Sequence, residues 1–226
     1  MIGMNPDWWP LAKLRLETPR LELRVPSEAD LDALAELAAA GVHDPRVQPF
    51  TSPWTDASPA ARARSTLQYQ WLQWGQWTPQ KWALELVVVR DGAVAGVQSL
   101  SGHDFAVLRE VSTGSWIGLK HQGQGIGTEM RSAILYLAFA GLGAEHAVSA
   151  AFTDNLASLA VSRKLGYADD GVERLVSRDK PAISQRLRLD RATWWAVQNL
   201  PVTIHGLEPC MAMFGLPASE EAGHDA

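Results

Sequence analysis

Gln122-Gly123-Gln124-Gly125-Ile126-Gly127-Thr128 stands between a β-rich run, Ser112 to Leu119, and an apolar-periodic run that continues to about Gly141. Strand, glycine turn and helix in that order form a cradle, because glycines free backbone amides and the helix dipole aims them at an anion such as a diphosphate. Three kinds of site use this device, and spacing separates them. A P-loop needs Gly-Lys followed by Ser or Thr, and no lysine lies between His121 and Arg131. A dinucleotide fingerprint is approached by Gly123, Gly125 and Thr128, and a nucleotide-dependent oxidoreductase is the corresponding alternative. It expects an acidic residue at the end of the next strand, about 20 residues on. Glu145 stands at the start of that strand instead.

Upstream of the cradle, Leu21, Leu23 and Val25 alternate with Glu22, Arg24 and Pro26, which is the period of a half-buried strand. Ser27 and Asp30 then open a helix to about Gly41. Pro45, Pro49, Pro53 and Pro59 break up the next stretch, a long loop of the length that usually serves a site. A second helix follows from Pro59 to about Trp77, with Trp71, Trp74 and Trp77 at every third position. That stripe reads as core-facing, as dimer-facing in a homo-oligomer, or as a wall of a substrate pocket. Trp82 to Arg90 and Ala93 to Leu100, joined by Asp91-Gly92, predict a hairpin.

Downstream, Ala144 to Phe152 reads as a strand, Asn155 as the cap of a helix ending at Leu165-Gly166, and Tyr167 as the start of another strand. Ile183 to Leu189 closes the sheet, and a short helix near Trp194 and a strand-like run from Val202 to Leu207 follow. The fold class is α/β (α+β), a mixed sheet of about seven strands with helices on both faces. The expected organisation is an N-terminal extension over 1–15, one domain over 16–190, and a C-terminal extension with a mobile tail over 191–226.

Composition narrows the partners. The net charge of -5, from 20 basic and 25 acidic residues, leaves no excess of positive charge for a nucleic acid backbone. The single cysteine, Cys210, excludes an internal disulfide and a cysteine zinc site, so a reducing, cytoplasmic setting is expected and no metal. Residues 1–10 carry no basic region leading into an apolar run, and the apolar stretch 133–142 is shorter than the roughly 20 residues that span a bilayer. A soluble chain without membrane contact is expected.

With Gln122, Gly125 and Gly127 in their places, and with this order of elements from Arg20 to Leu189, the chain resembles the GNAT acyltransferase superfamily. Asn155-Leu156-Ala157-Ser158, with a helix ending at Gly166-Tyr167, is similar to the Rim-type ribosomal-protein acetyltransferases. More narrowly, Gly114-Ser115-Trp116-Ile117-Gly118-Leu119, Gly41-Val42-His43-Asp44-Pro45 and Phe214-Gly215 resemble an actinobacterial branch associated with succinyl as well as acetyl transfer.

The resemblance implies an acyl-CoA donor, acetyl-CoA or succinyl-CoA, and an amine acceptor on a protein N-terminus, a lysine or a small molecule. It implies that Gln122, Gly123, Gly125, Ile126, Gly127 and Thr128 bind the diphosphate and that Asn155 orders the pantetheine. Backbone N–H groups of Trp116 or Ile117 would polarise the thioester carbonyl, and Ser158 would protonate the thiolate. Asn155 also reads as a plain helix cap, and Ser158 as a surface serine. An ammonium acceptor must lose a proton, and the carboxylates available are Asp104, Glu110 and Glu85. Asp104, at the end of the hairpin, is preferred, with His103 beside it. His43, Asp44 and Trp74 are expected on the acceptor or acyl side, although Asp44-Pro45 is also a common turn starter. Arg163 and Lys164 lie near the ribose phosphate on this reading, or simply answer the helix dipole. A non-catalytic acyl-CoA sensing module is the alternative in which the cradle binds without turnover.

Overall fold

A computed structural model describes residues 5–217. Nine strands form one sheet: β1 (Arg15–Glu17), β2 (Glu22–Arg24), β3 (Lys81–Arg90), β4 (Ala93–His103), β5 (Glu110–Ile117), β6 (His146–Phe152), β7 (Ala168–Ser177), β8 (Lys180–Asp190) and β9 (Thr203–His205). Their spatial order is β7-β8-β6-β5-β4-β3-β2-β1-β9. Only β5 and β6 run parallel; every other neighbouring pair is antiparallel.

The helices are α1 (Glu28–Ala40), α2 (Pro59–Gly75), α3 (Phe105–Leu108), α4 (Ile126–Tyr136), α5 (Leu156–Lys164) and α6 (Arg191–Val197). Alternation along β3 shows how they cover both faces. Leu84, Leu86 and Val88 join the main core with Met130 and Ile134 of α4, whereas Val87 and Val89 pack with Leu34 of α1 on the opposite face.

The sheet has two strands more than the seven or so expected. β1 and β9 are three residues each and pair with one another, Leu16 opposite Ile204. So short a segment as Arg15-Leu16-Glu17 carries one apolar residue and no readable period. The strand-like run near Val202 thereby extends the far edge of the sheet. The expected mobile tail reaches into 218–226, outside the described residues.

Local signals explain the turns. Ser27 and Asp30 make the reciprocal capping box that starts α1. Asp91 and Gly92 hold φ values of 51° and 77°, the left-handed pair that closes the β3–β4 hairpin. The helix expected to run from Gly125 to Gly141 is instead α4 followed by a π-helical turn over Leu137–Gly141, in which Leu142 N–H donates to Leu137 O at 2.8 Å. The tryptophan stripe divides as well. A three-residue step falls 60° short of a full turn, so Trp71 swings out to 53 % exposure while Trp74 and Trp77 pack on the main core.

Candidate functional site: a split sheet between a glycine-rich turn and a cleft

β5 and β6 pair only from Glu110 opposite His146 to Ser112 opposite Val148. Beyond that point β6 continues on β8 to Phe152, and β5 continues on β4 to Ile117, so the two strands part and a gap opens between them. Hydrogen-bond alternation fixes which backbone groups face it. Gly118 N–H donates to Ala95 O at 3.0 Å, so two residues earlier Trp116 also bonds to β4, opposite Val97. The amides and carbonyls of Thr113, Ser115 and Ile117 therefore point into the gap. Ser149 Oγ accordingly donates to Thr113 O at 3.3 Å, and Gln122 Nε2 to Ile117 O at 2.9 Å.

The glycine-rich turn lies at the wide end of the gap. Gly123 and Gly125 adopt φ values of 71° and 79°, a left-handed conformation that side chains resist. Gly125 is the N-cap of α4, no side chain caps this helix, and its first internal bond runs from Glu129 N–H to Gly125 O. The amides of Ile126, Gly127 and Thr128 are thus left without helical partners, and the positive end of the dipole faces outward.

Gln122 holds the turn in place, its amide donating to Val42 O at 2.7 Å as well as to Ile117 O. Arg20 holds the other side, donating to Gln124 O at 3.2 Å and pairing with the buried Glu129 at 2.5 Å. Arg90 donates to the Gln124 side chain at 2.6 Å. Burial, then the Lys120 and Arg90 charges, lower the His121 pKa. Arg20, Arg90 and Glu129 had no local signal in sequence, because the contacts that bring them to the turn span 34 to 111 residues.

On the other side of the sheet's vertex lies a cleft of about 530 Å³, bordered by Tyr69, Gln73, Glu85, Ser99, Ser112 and Gly114 among others, and reaching Thr113 and Val148 at the vertex. Its floor is built of small residues. Glu85 is only 3 % exposed, and burial pushes its carboxyl up to about 7 against the opposing pull of its hydrogen bonds. Ser99 Oγ donates to Glu85 Oε2 at 2.5 Å, and the Tyr69 hydroxyl reaches Oε1 at 3.5 Å. Ser99 lies opposite Gly114 of β5, so one strand separates Ser99 from the gap and two separate Glu85 from it, with the Ser99 hydroxyl between.

The other candidates occupy varied positions. Glu110 borders the cleft but is paired with Arg188. Asp104 lies outside the cleft wall, half exposed, in a left-handed conformation and 2.9 Å from His103 Nδ1; His103 borders the cleft. The Asn155 side chain accepts from Ser158 N–H at 3.2 Å as the cap of α5, whose Val161 packs toward Gly127. Ser158 is half-buried, one helical turn before Val161, and so is directed to the cradle side. Arg163 pairs with Asp169 at 3.6 Å in the last turn of α5, the end remote from Asn155.

In the long loop, His43 Nδ1 donates to Asp44 O at 2.8 Å, which leaves Nε2 to accept from Thr55 Oγ1 at 2.7 Å. Asp44 is bonded by Arg46, which holds its carboxyl down at about 2. His43 and Asp44 are thereby committed to the loop itself. Trp74 packs on the core and does not border the cleft. The loop is fastened across the molecule by Arg178, from the β7–β8 turn, to Asp56 at 2.5 Å and Pro45 O at 3.0 Å. Its Trp54 packs 5.8 Å from Trp116.

No group of three or more metal-ligating side chains occurs among the described residues, and none of their helices is long and apolar enough to cross a membrane. Among solved structures, RimJ from Mycobacterium smegmatis in complex with CoA-disulfide is similar to this chain with a TM-score of 0.66 at 17 % identity, over 90 % of this chain and 95 % of that one. RimL, a ribosomal alpha-N-protein acetyltransferase in complex with coenzyme A, gives 0.60 at 21 % identity over 76 % and 95 %. At these identities the likeness is one of fold. Residues 20–168, two thirds of the sequence and the part that holds the gap, the cradle and the cleft, match the acetyltransferase (GNAT) domain, and the chain belongs to that family of acetyltransferases.

Proposed function

We propose that the protein moves an acetyl or succinyl group from coenzyme A directly to an amine of a protein or small-molecule acceptor, within a ternary complex. The observation that carries this reading is the position of the gap. It joins three uncommitted helix-terminal amides on one side to a cleft with a buried carboxylate on the other. A diphosphate at Ile126–Thr128 leaves the pantetheine to fill the place of a missing strand pairing beside Ser115 and Ile117.

The thioester is already activated, so the protein has to orient the amine, polarise the carbonyl and manage two protons. The Ser115 N–H, which faces the gap toward its vertex, suits the carbonyl oxygen better than that of Trp116, which is used by β4, or that of Ile117, which lies at the cradle end. For the base we propose Glu85 in place of Asp104. A carboxyl near 7 is matched to deprotonating an ammonium at neutral pH, and Ser99 bridges it toward β5. Ser158 remains the proposed donor to the sulfur. The buried carboxylate in the cleft supports turnover over a binding-only module, which has no need of a base.

The test is free-thiol release from acetyl-CoA and succinyl-CoA with a panel of peptide N-termini, lysine peptides and polyamines. Amine-dependent release is expected. Tight coenzyme binding without release for any acceptor would favour the sensing module.

A further inference from the structure

Beneath the vertex of the gap, the Arg131 side chain rises from α4 into a group of neutral polar residues. It is 4 % exposed. Its Nε donates to Gln98 Oε1 at 3.4 Å, and its terminal nitrogens to Ser149 Oγ at 3.4 Å and Ser115 Oγ at 3.0 Å. Those three residues belong to β4, β6 and β5. The Tyr167 hydroxyl, which also bonds Thr113 Oγ1 at 3.1 Å, completes the group.

No carboxylate pairs with Arg131 among the described residues. Glu129, on the same helix, is engaged by Thr18 and Arg20. A buried guanidinium is costly, and the cost is ordinarily offset by a carboxylate with close hydrogen bonds. Here two of the three bonds are at the outer limit of hydrogen-bond length. Burial lowers the Arg131 pKa, yet arginine keeps its proton in proteins, so a net positive charge persists beneath the gap. A strut between β5 and β6 needs bulk; it does not need an uncompensated charge.

That charge lies where a coenzyme chain would end. From Ile117, beside the cradle, to Thr113 at the vertex is four residues of strand, about 13 Å. We propose that Arg131 stabilises the coenzyme thiolate as it leaves, acting through the Ser115 hydroxyl, whose oxygen it holds and whose proton is free to turn toward the gap, while its second bond braces Ser149 against Thr113 O. This rests on the acyl-transfer reading above. One proton of the acceptor ammonium passes to Glu85, the amine nitrogen bonds to the carbonyl carbon, and the carbon–sulfur bond breaks with its electron pair going to sulfur. The thiolate then takes a proton from the Ser158 hydroxyl, which is replenished by the second nitrogen proton. A serine is a far weaker acid than a thiol, so a fixed positive charge lets sulfur depart before that proton arrives. Arg131 is a positioning residue in this account, since it acts on the sulfur through Ser115.

The test is the titration of the thiol of bound coenzyme A, followed by thiolate ultraviolet absorbance, in the wild type, Arg131→Met and Arg131→Lys. In the wild-type complex the thiol should titrate about 1 to 3 units below its value in buffer. Arg131→Lys should keep part of that shift. Arg131→Met should abolish it and lower kcat on the order of 10- to 100-fold with little change in KM for the donor. The wild-type titration needs no variant, so misfolding of Arg131→Met would leave the proposal testable. A thiol that titrates in the wild-type complex as it does in buffer would overturn it. Failure of coenzyme A to bind at all would overturn the acyl-transfer reading, and this proposal with it.

Discussion

Replacing Glu85 by Gln removes a charge the fold pays to bury and the group proposed to take the acceptor's proton. Below about pH 4.5 the carboxyl is protonated in folded and unfolded chain alike, and its burial is not penalised. As pH rises from 4.5 toward 7, only the unfolded chain releases the proton, so the wild type loses stability across that window. The shift of roughly 2.5 units corresponds to about 3 kcal/mol once pH exceeds 7. The amide variant has no such loss, and its Oε1 can still accept from Ser99. Glu85→Gln should therefore match the wild type in thermal stability at pH 4 and exceed it at pH 8, by about 2–4 °C for each kcal/mol retained. Activity should move the opposite way. The kcat should fall on the order of 10²- to 10⁴-fold, and the acidic limb near pH 7 in the kcat/KM profile should disappear. Thermal denaturation at the two pH values and pH–rate profiles with a single acceptor measure both effects. A variant that keeps wild-type turnover together with the acidic limb would refute the assignment of the base. Equal stability at pH 8 would refute the buried charge.

Other perturbations separate the remaining parts of the site. Gly125→Glu forces a side chain onto a φ of 79° with its Cβ 3.3 Å from the Arg20 guanidinium, and brings a negative charge to the cradle; acyl-CoA binding by calorimetry should be abolished. Ser158→Ala should lower kcat with donor affinity unchanged, and unaltered single-turnover rates would remove that hydroxyl from the mechanism. Asp104→Asn should retain the acidic limb, because that carboxylate lies outside the cleft wall; loss of the limb would restore it as the base.

The parts legible in sequence were those specified by neighbours along the chain. The Ser27/Asp30 box, the Asp91-Gly92 turn, the Gly166 stop with φ of 94° and the glycine-rich turn before α4 are each fixed within a few residues. The sheet edge was harder, because β1 and β9 acquire meaning only by pairing across 188 positions of chain, Leu16 with Ile204. α3 is four residues held between left-handed Asp104 and Arg109, too short to carry a period. The catalytic side depends on burial, which the sequence does not display. Glu85 and Asp104 read alike as carboxylates near a hairpin; only the packed fold separates one that is nearly dry from one facing water. Arg131 stands in an apolar-periodic run with Glu129 two positions away, and its lack of an acidic partner emerges only when three strands converge on it. His43 and Asp44 went the other way, since side-chain chemistry suited to a ligand is spent on Thr55 and Arg46.

The most direct measurement is the structure of the protein with acetyl-CoA bound. The account predicts diphosphate oxygens within hydrogen-bond distance of the Ile126, Gly127 and Thr128 amides, and a pantetheine lying between β5 and β6 with its thioester near the vertex at Thr113 and Ser149. A coenzyme bound elsewhere, with the gap unused and those amides turned to solvent, would contradict it.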